Sequence, residues 1–378
     1  MRKILLLAAI FILFFSGSDY LAKIQQKNDT DDLSVFRTLE NGLTNIKETI
    51  DIESLLHYIT DIFDQMDDSF TDFQLENKEH PENIIEQPTL TTPVQQLFSV
   101  ANIEIGDTKA IVEKLYGEAK RVTKNEYGTD WHAYHDKYRN FFMVAYNESG
   151  GVVGLYTNQD LLAGKNEIKM GTAKETVREL MGEPLSSIKK GFTNYMLESK
   201  RDYDMFHSGN SFITFFYDKH ENNTVTAIQI INNQLENSKE VFYTNGTDEL
   251  MEGFELQLFD LTNATRVKFG LSPLVWDDHV RITARKHSLD MAKNDYFNHT
   301  NLQGLSPFDR MKADHIHFTM AGENLAYGQL SSIFAHEGLM NSLGHRKNIL
   351  QHEYEYLGVG VAFNSESQPY FTEKFYKK

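Results

Sequence analysis

Asn341-Ser342-Leu343-Gly344-His345-Arg346-Lys347-Asn348-Ile349-Leu350 closes the last long helical pattern of a 378-residue chain. The apolar spacing before it predicts a helix over 331–343 that runs into Gly344-His345-Arg346. Two alternating runs follow, at 357–363 and 370–375, and read as strands. Upstream, a helix begins near Leu256, carries Leu258, Leu261, Thr265, Val267 and Phe269, and is closed by Gly270. Asp277 is a natural N-cap for a second helix to about Asp295, with Val280, Ile282, Ala284, Leu289 and Met291 expected on its inner side. Phe297-Asn298-His299-Thr300 leaves that helix as a loop, and Gly322-Glu323-Asn324-Leu325-Ala326 sits between the two histidine-bearing stretches.

Further toward the N-terminus the chain repeats itself. IEIGDTKAIVEKLYGE (103–118) and IKMGTAKETVRELMGE (168–183) are identical at seven of sixteen positions. In each copy a glycine opens a turn, a short helix follows with Val and Leu three residues apart, and Gly117 or Gly182 stops it. Strand-like pairs come next: 141–146 with 152–156, and 212–217 with 225–231. Gly150-Gly151 and Asn222-Asn223 stand between them as hairpin turns. Two copies are too few for a solenoid, so residues 98–235 are expected to form one pseudo-symmetric α+β domain. Trp131, His132, Tyr134, His135 and Tyr138 cluster after the first helix, either as packing or as the wall of a ligand groove. The polar stretch 236–252 reads as the linker to the last domain, 253–378.

Arg2 and Lys3 precede an apolar run at 4–15, too short for the ~20 residues that span a bilayer and suited to a signal-peptide core. Residues 1–18 are therefore expected to be a signal peptide or an uncleaved anchor. Residues 28–90 hold sixteen acidic side chains against Arg37, Lys47 and Lys78, which is −13 of the formal net charge of −17. Leu33, Phe36, Leu39 and Leu43, then Ile52, Leu55, Leu56, Ile59 and Phe63, fall at helical spacing there. Residues 19–97 thus read as an acidic helical stalk with a solvated face.

The absence of cysteine excludes disulfides, thiolate zinc sites, iron–sulfur clusters and cysteine nucleophiles. The acidic balance offers no basic face for nucleic acid. Any membrane association is expected through the N-terminal segment alone.

The C-terminal motifs resemble the CAP superfamily (cysteine-rich secretory protein, antigen 5, pathogenesis-related 1) in its bacterial branch. They are Phe297 with His299, the run 304–310 (Gly-Leu-Ser-Pro-Phe-Asp-Arg), 321–328, 341–350, and Gly358 to Ala362. The repeated unit resembles the CAP-associated domain that precedes CAP domains in spore-forming Gram-positive bacteria and their relatives. The resemblance implies an α–β–α sandwich at 253–378, α+β overall. It also implies a cavity of two histidines and two acids, matched here by His299, Glu323 and His345. Where the family places the second acid this chain has Ser342, and Leu339 stands for the usual tryptophan. Phe371-Thr372-Glu373-Lys374-Phe375 replaces the usual W-T-Q-x-F.

That resemblance implies a ligand groove at His299, Glu323, Ser342 and His345. Two imidazoles suit zinc or another divalent metal, with Glu323 orienting a ring or moving a proton. The same residues also suit a hydrogen-bonded polar core. His336-Glu337-Gly338-Leu339-Met340 lacks the second histidine of a zinc-protease helix. His315-Ile316-His317 would place both rings on one face of a strand. Ser342, His345 and Glu323 lack a nucleophile elbow. Asp309 and Arg310 are expected to be structural partners. The leading expectation is a secreted or membrane-anchored protein, its domains outside the cytoplasm, that binds a lipid, peptide or cell-wall ligand. The alternatives are a metal-assisted hydrolase of peptide or wall polymer, with Glu323 as base, and a scaffold docking an envelope protein through 98–235. An enzyme is expected to lose turnover with its fold intact on Glu323→Gln.

Overall fold

The computed structural model describes residues 87–198 and 200–378. The signal segment and nearly all of the acidic stalk lie outside the described residues.

The repeat is realised as one antiparallel sheet. The first copy contributes β1 (Phe98–Val100), α1 (Lys109–Tyr116), β2 (Arg121–Lys124), β3 (Asp130–Asp136), β4 (Arg139–Tyr146), β5 (Val152–Thr157) and β6 (Leu162–Gly164). The second contributes α2 (Lys174–Met181), β7 (Ser187–Lys190), β8 (Thr193–Met196), β9 (Tyr203–Ser208), β10 (Ser211–Asp218) and β11 (Thr224–Asn232). Seven strands are ordered β2-β3-β4-β5-β11-β10-β9, so the copies meet where β5 pairs with β11. Equivalent bonds seat each helix on its own hairpin: Gly106 N donates to Val152 O, and Gly171 N donates to Val225 O. Val112 and Val177 are fully buried under the helices. Leu115 and Leu180, expected beside them, are exposed, because an eight-residue helix lying on a sheet presents little more than one apolar position to it. Strands β2, β3 and β9 were not foreseen, although Gly128 and Gly209-Asn210 stand at the turns that join β2 to β3 and β9 to β10. Trp131 and Tyr134 of β3 pack into opposite faces of the sheet.

The remainder runs α3 (Asn233–Ser238), α4 (Asp248–Lys268), β12 (Val275–Trp276), α5 (Asp278–Asn294), α6 (Pro307–Ala313), β13 (Met320–Tyr327), α7 (Ser332–Asn341), α8 (Leu343–Ile349), β14 (Tyr356–Phe363) and β15 (Pro369–Lys377). Helix α4 thus starts inside the stretch read as linker. Thr247 caps it by accepting from Leu250 N. The helix read over 331–343 breaks at Ser342, whose backbone is extended (φ −96°, ψ 116°).

A four-stranded sheet, ordered β12-β14-β15-β13, is the centre of an α–β–α sandwich. Leu357, Val359 and Val361 of β14 face α4, α7 and α8. Gly358 and Gly360 face α5, and a Cβ on Gly360 would stand 2.0 Å from Arg285 N. Helix α5 therefore lies directly on the strand. Its buried line is Val280, Ala284, His287, Ser288 and Met291. Ile282 and Leu289, expected on the inner side, are 47% and 41% exposed; at 100° per residue they fall off that line.

The other face of α4 and α7 receives the seven-stranded sheet. Leu261, Ala264, Ile333 and Phe334 pack with Trp131, Tyr156, Phe216 and Ile231. Helix α4 is consequently buried all round, and most of its polar side chains find partners inside. Asp260 accepts from Arg121 at 2.8 Å, Gln257 donates to Lys124 O at 2.8 Å, and Glu255 takes a two-pronged contact from Arg285 at 2.6 and 2.5 Å. A Cβ on Gly253 would meet Lys124 O at 2.2 Å, which measures how closely helix and sheet approach.

Candidate functional site

Helix α5 ends on Asp295 in the left-handed region (φ 53°), and the chain turns away from the sheet. His287 Nε2 lies 3.0 Å from Asn298 O and anchors the loop that follows. Ser306 and Asp309 then form a reciprocal capping box that starts α6. This fixes Arg310, which donates to His299 O at 2.7 Å and to Leu305 O at 2.9 Å. Arg310 is a partner of the loop, as expected from the sequence.

Glu323 lies on β13, the edge strand of the sheet. Its carboxylate accepts from His299 Nδ1 at 2.9 Å, from Arg310 at 2.8 and 3.1 Å, and from Lys374 Nζ at 2.6 Å. Burial alone would raise this carboxyl. The His299 hydrogen bond and the charges of Lys374 and Arg310 outweigh it and hold the group down at about 2. Glu323 is thus an anchored anion that orients the His299 ring. The His299 side chain is half exposed, and its Nδ1 is committed to Glu323. Nε2 is the nitrogen left for a ligand.

His345 arrives from the other side of the sheet edge, on α8. Asn324 Nδ2 donates to His345 O at 3.2 Å, and Asn348 Nδ2 donates to Asn324 Oδ1 at 2.9 Å. Burial, with a smaller contribution from His299, pushes the His345 ring down to about 4. It is neutral at physiological pH, and its Nδ1 is buried without a partner. Behind it Glu373 accepts from Thr262 and Asn324, at 2.8 and 3.0 Å, and burial lifts it to about 7.

The structure therefore joins His299 to Glu323 directly and brings His345 within electrostatic reach of His299. Ser342 takes part through its backbone, accepting from Arg346 N at 2.8 Å at the α7–α8 break. Glu323 bonds His299 rather than His345, so no Ser342–His345–Glu323 triad is assembled. Among the described residues, no group of three or more His, Asp or Glu stands where it could hold a metal ion. The donor set fits a divalent cation poorly, because the Glu323 carboxylate is already saturated by Arg310 and Lys374 and Glu373 is bonded to Thr262 and Asn324.

Lys374 was not foreseen. In the family's W-T-Q-x-F it falls on the unspecified position, so the motif carried no signal for it; the strand register places this cation opposite Glu323. His315 and His317 lie in the loop between α6 and β13, not on a strand, with His315 left-handed at φ 57°. They border a separate cleft of about 450 Å³ with Asp277, His279, Tyr376 and Lys378. His336 is buried against Thr265 Oγ1 at 2.7 Å within the CAP domain, and Glu337 accepts from Tyr156 at 2.8 Å across the domain interface.

Residues 105–242 match the family described as CAP-associated N-terminal, and residues 259–375 match the cysteine-rich secretory protein family, CAP. The chain is 30% identical over 285 residues to the membrane protein YlbC of Bacillus subtilis, covering 71% of this chain and 80% of that one. It is 39% identical over 135 residues to YkwD of the same organism, 36% of this chain and 51% of the relative. An extracellular protein containing an SCP domain from Bacillus anthracis superposes with a TM-score of 0.62 at 22% identity, over 80% of this chain and all of that one. A cysteine-rich secretory protein of Staphylococcus aureus does so at 0.56 and 18% identity, over 72% and 94%. These two share the fold. Motif order, sheet topology and relatives agree: the chain belongs to the CAP family, as a CAP domain preceded by a CAP-associated N-terminal domain.

Proposed function

We propose that this is an exported bacterial envelope protein whose CAP domain binds an amphiphilic ligand, a lipid or lipid-bearing peptide or wall fragment, in the groove at His299. The observation that carries the reading is a preset polar cluster beside exposed apolar side chains on the same segments. Phe297, Leu302 and Leu305 share the loop of His299 and are 48%, 62% and 38% exposed. Tyr327, on the strand of Glu323, reaches Phe297 with ring centroids 5.9 Å apart. Apolar side chains held in water beside a ring aimed by a buried carboxylate suit a ligand with a polar head and an apolar body.

Export is supported by the basic start and apolar run at 2–15, by the word membrane in the name of YlbC, and by the extracellular origin of the Bacillus anthracis structure. No helix of the described residues is long and apolar enough to cross a membrane. A hydrolase reading asks Glu323 to accept a proton, and a carboxyl held at about 2 between two cations is a poor base.

The test is fluorescence titration of the full chain with a dansyl fatty acid and, separately, a dansyl-labelled muropeptide. The wild type is compared with Phe297→Ser/Leu302→Ser and with His299→Ala/His345→Ala. Saturable binding that both variants weaken, at an unchanged thermal midpoint, supports the groove. Binding that both variants retain, or no binding of either probe, removes it. Zinc calorimetry on the same proteins separates a metal site: heat lost only in the histidine variant would restore the metal reading.

A further inference from the structure

The α7–α8 junction carries Ser342 and His345; Arg266 and Asn324 hold it from within the CAP domain, at Ile349 O and His345 O, and a second set of holds comes from outside that domain. Helix α8 has seven residues, too few to be stable alone, so tertiary contacts decide where it sits. Asn341, the last residue of α7, donates to Tyr217 O at 2.8 Å and accepts from Lys219 N at 2.9 Å. His220 Nε2 lies 3.2 Å from Asn341 O. Arg346, next to His345, donates to Asp218 Oδ2 at 2.8 Å. Both side chains of that pair are under a tenth exposed, and the guanidinium lies 5.1 Å from the centre of the Phe269 ring. Residues 217–220 all belong to the end of β10 and the turn into β11, in the CAP-associated domain.

The two copies of the repeat diverge at this point. In the first copy the residue at the same place in the hairpin is Asn147, which accepts from Ser149 N and Gly151 N and closes its own exposed turn. In the second copy Asp218 accepts from His220 N with Oδ1 and gives Oδ2 to Arg346. One carboxylate thus shapes the turn and grips the junction.

We propose that Asp218 is a positioning residue for His345, and that the CAP-associated domain completes the ligand groove by fixing the α7–α8 junction through Asp218 and the Asn341 contacts. The positioning stands on geometry alone; only its effect on binding rests on the groove reading above. On this account the CAP-associated domain is a structural part of the site rather than a spacer.

Hydrogen exchange on the full chain tests it, with Asp218→Asn beside Asp260→Asn. Asp260 is a control in the same interface, bonded to Arg121 and Tyr138 away from the junction. Asp218→Asn is expected to speed exchange about tenfold or more across 342–350, with 278–294 unchanged, and to move the His345 ring resonances. Asp260→Asn is expected to leave both readouts at 342–350 unchanged. Asp218→Glu, which keeps the charge and adds one methylene, serves if the asparagine variant fails to fold, and is expected to give a smaller effect with the same localisation. Unchanged exchange at 342–350, or equal loosening of 278–294 and 342–350, overturns the proposal. Localised loosening with unaltered affinity for the dansyl fatty acid keeps Asp218 as a positioning residue and counts against the groove reading instead.

Discussion

Glu323 and Lys374 stand directly opposite each other on the neighbouring antiparallel strands β13 and β15, with Nζ 2.6 Å from Oε2. Cross-strand partners on one face lie closest of all pairs in a sheet, so the register alone delivers the cation to the carboxylate. Arg310 closes the other side. The acid at the centre of the candidate site is a compensated ion in a buried network, bonded to two cations and one imidazole.

Glu323→Gln is therefore expected to cost about 3–5 kcal/mol of stability, because it leaves the fully buried Lys374 and Arg310 without a counter-charge. Activity lost in that variant does not identify a catalytic base. In Glu323→Gln/Lys374→Met part of the loss is expected to return. Urea unfolding of the four members of the cycle measures the coupling; a wild-type midpoint for the single variant contradicts the network.

Arg310→Lys is not expected to be conservative. The guanidinium spans two backbone carbonyls and the Glu323 carboxylate at once, a geometry an ammonium cannot reproduce. Residues 297–306 should exchange several-fold faster while β14 stays protected. Equal protection of that loop in both proteins would place its support elsewhere.

The pH dependence has two opposed parts. Glu323 is depressed to about 2 from 4.5, so its contribution is complete above pH 4.5 and is lost as pH falls toward 2. Glu337 and Glu373 are raised to about 7 by burial, so the folded state holds their protons more tightly than the unfolded chain. Stability from these two falls as pH rises from about 4.5 through 7. Glu337→Gln and Glu373→Gln should raise the thermal midpoint at pH 8 relative to wild type and change it little at pH 4. A pH-independent difference would refute the assignment.

Gly360→Ala is expected to destabilise by several kcal/mol, since the new methyl meets Arg285 N, a backbone atom that cannot turn aside. Gly344 offers a contrast in the Gly344-His345-Arg346 stretch. Its Cβ would meet nothing within 4 Å, and its φ is not positive. Gly344→Ala should leave stability within about 0.5 kcal/mol of wild type. A loss of ligand binding there would assign the glycine to the groove rather than to the fold.

Much of this was legible in the chain itself. The helix stops at Gly117, Gly182 and Gly270, the Asp277 cap, and the turns at Gly150-Gly151 and Asn222-Asn223 depend on neighbours a few residues apart. Each such signal acts through the local backbone, so its outcome does not wait for the rest of the fold. The motifs around His299, Glu323 and His345 likewise pointed to the candidate site through their family resemblance. Tertiary structure alone decided what those residues are to one another. Lys374 reaches Glu323 because two strands share a register, α4 carries polar residues on every side because two sheets bury it, and Asp218 reaches Arg346 across 128 residues of chain. Contacts of that separation are set by how whole layers pack, and no local periodicity encodes them.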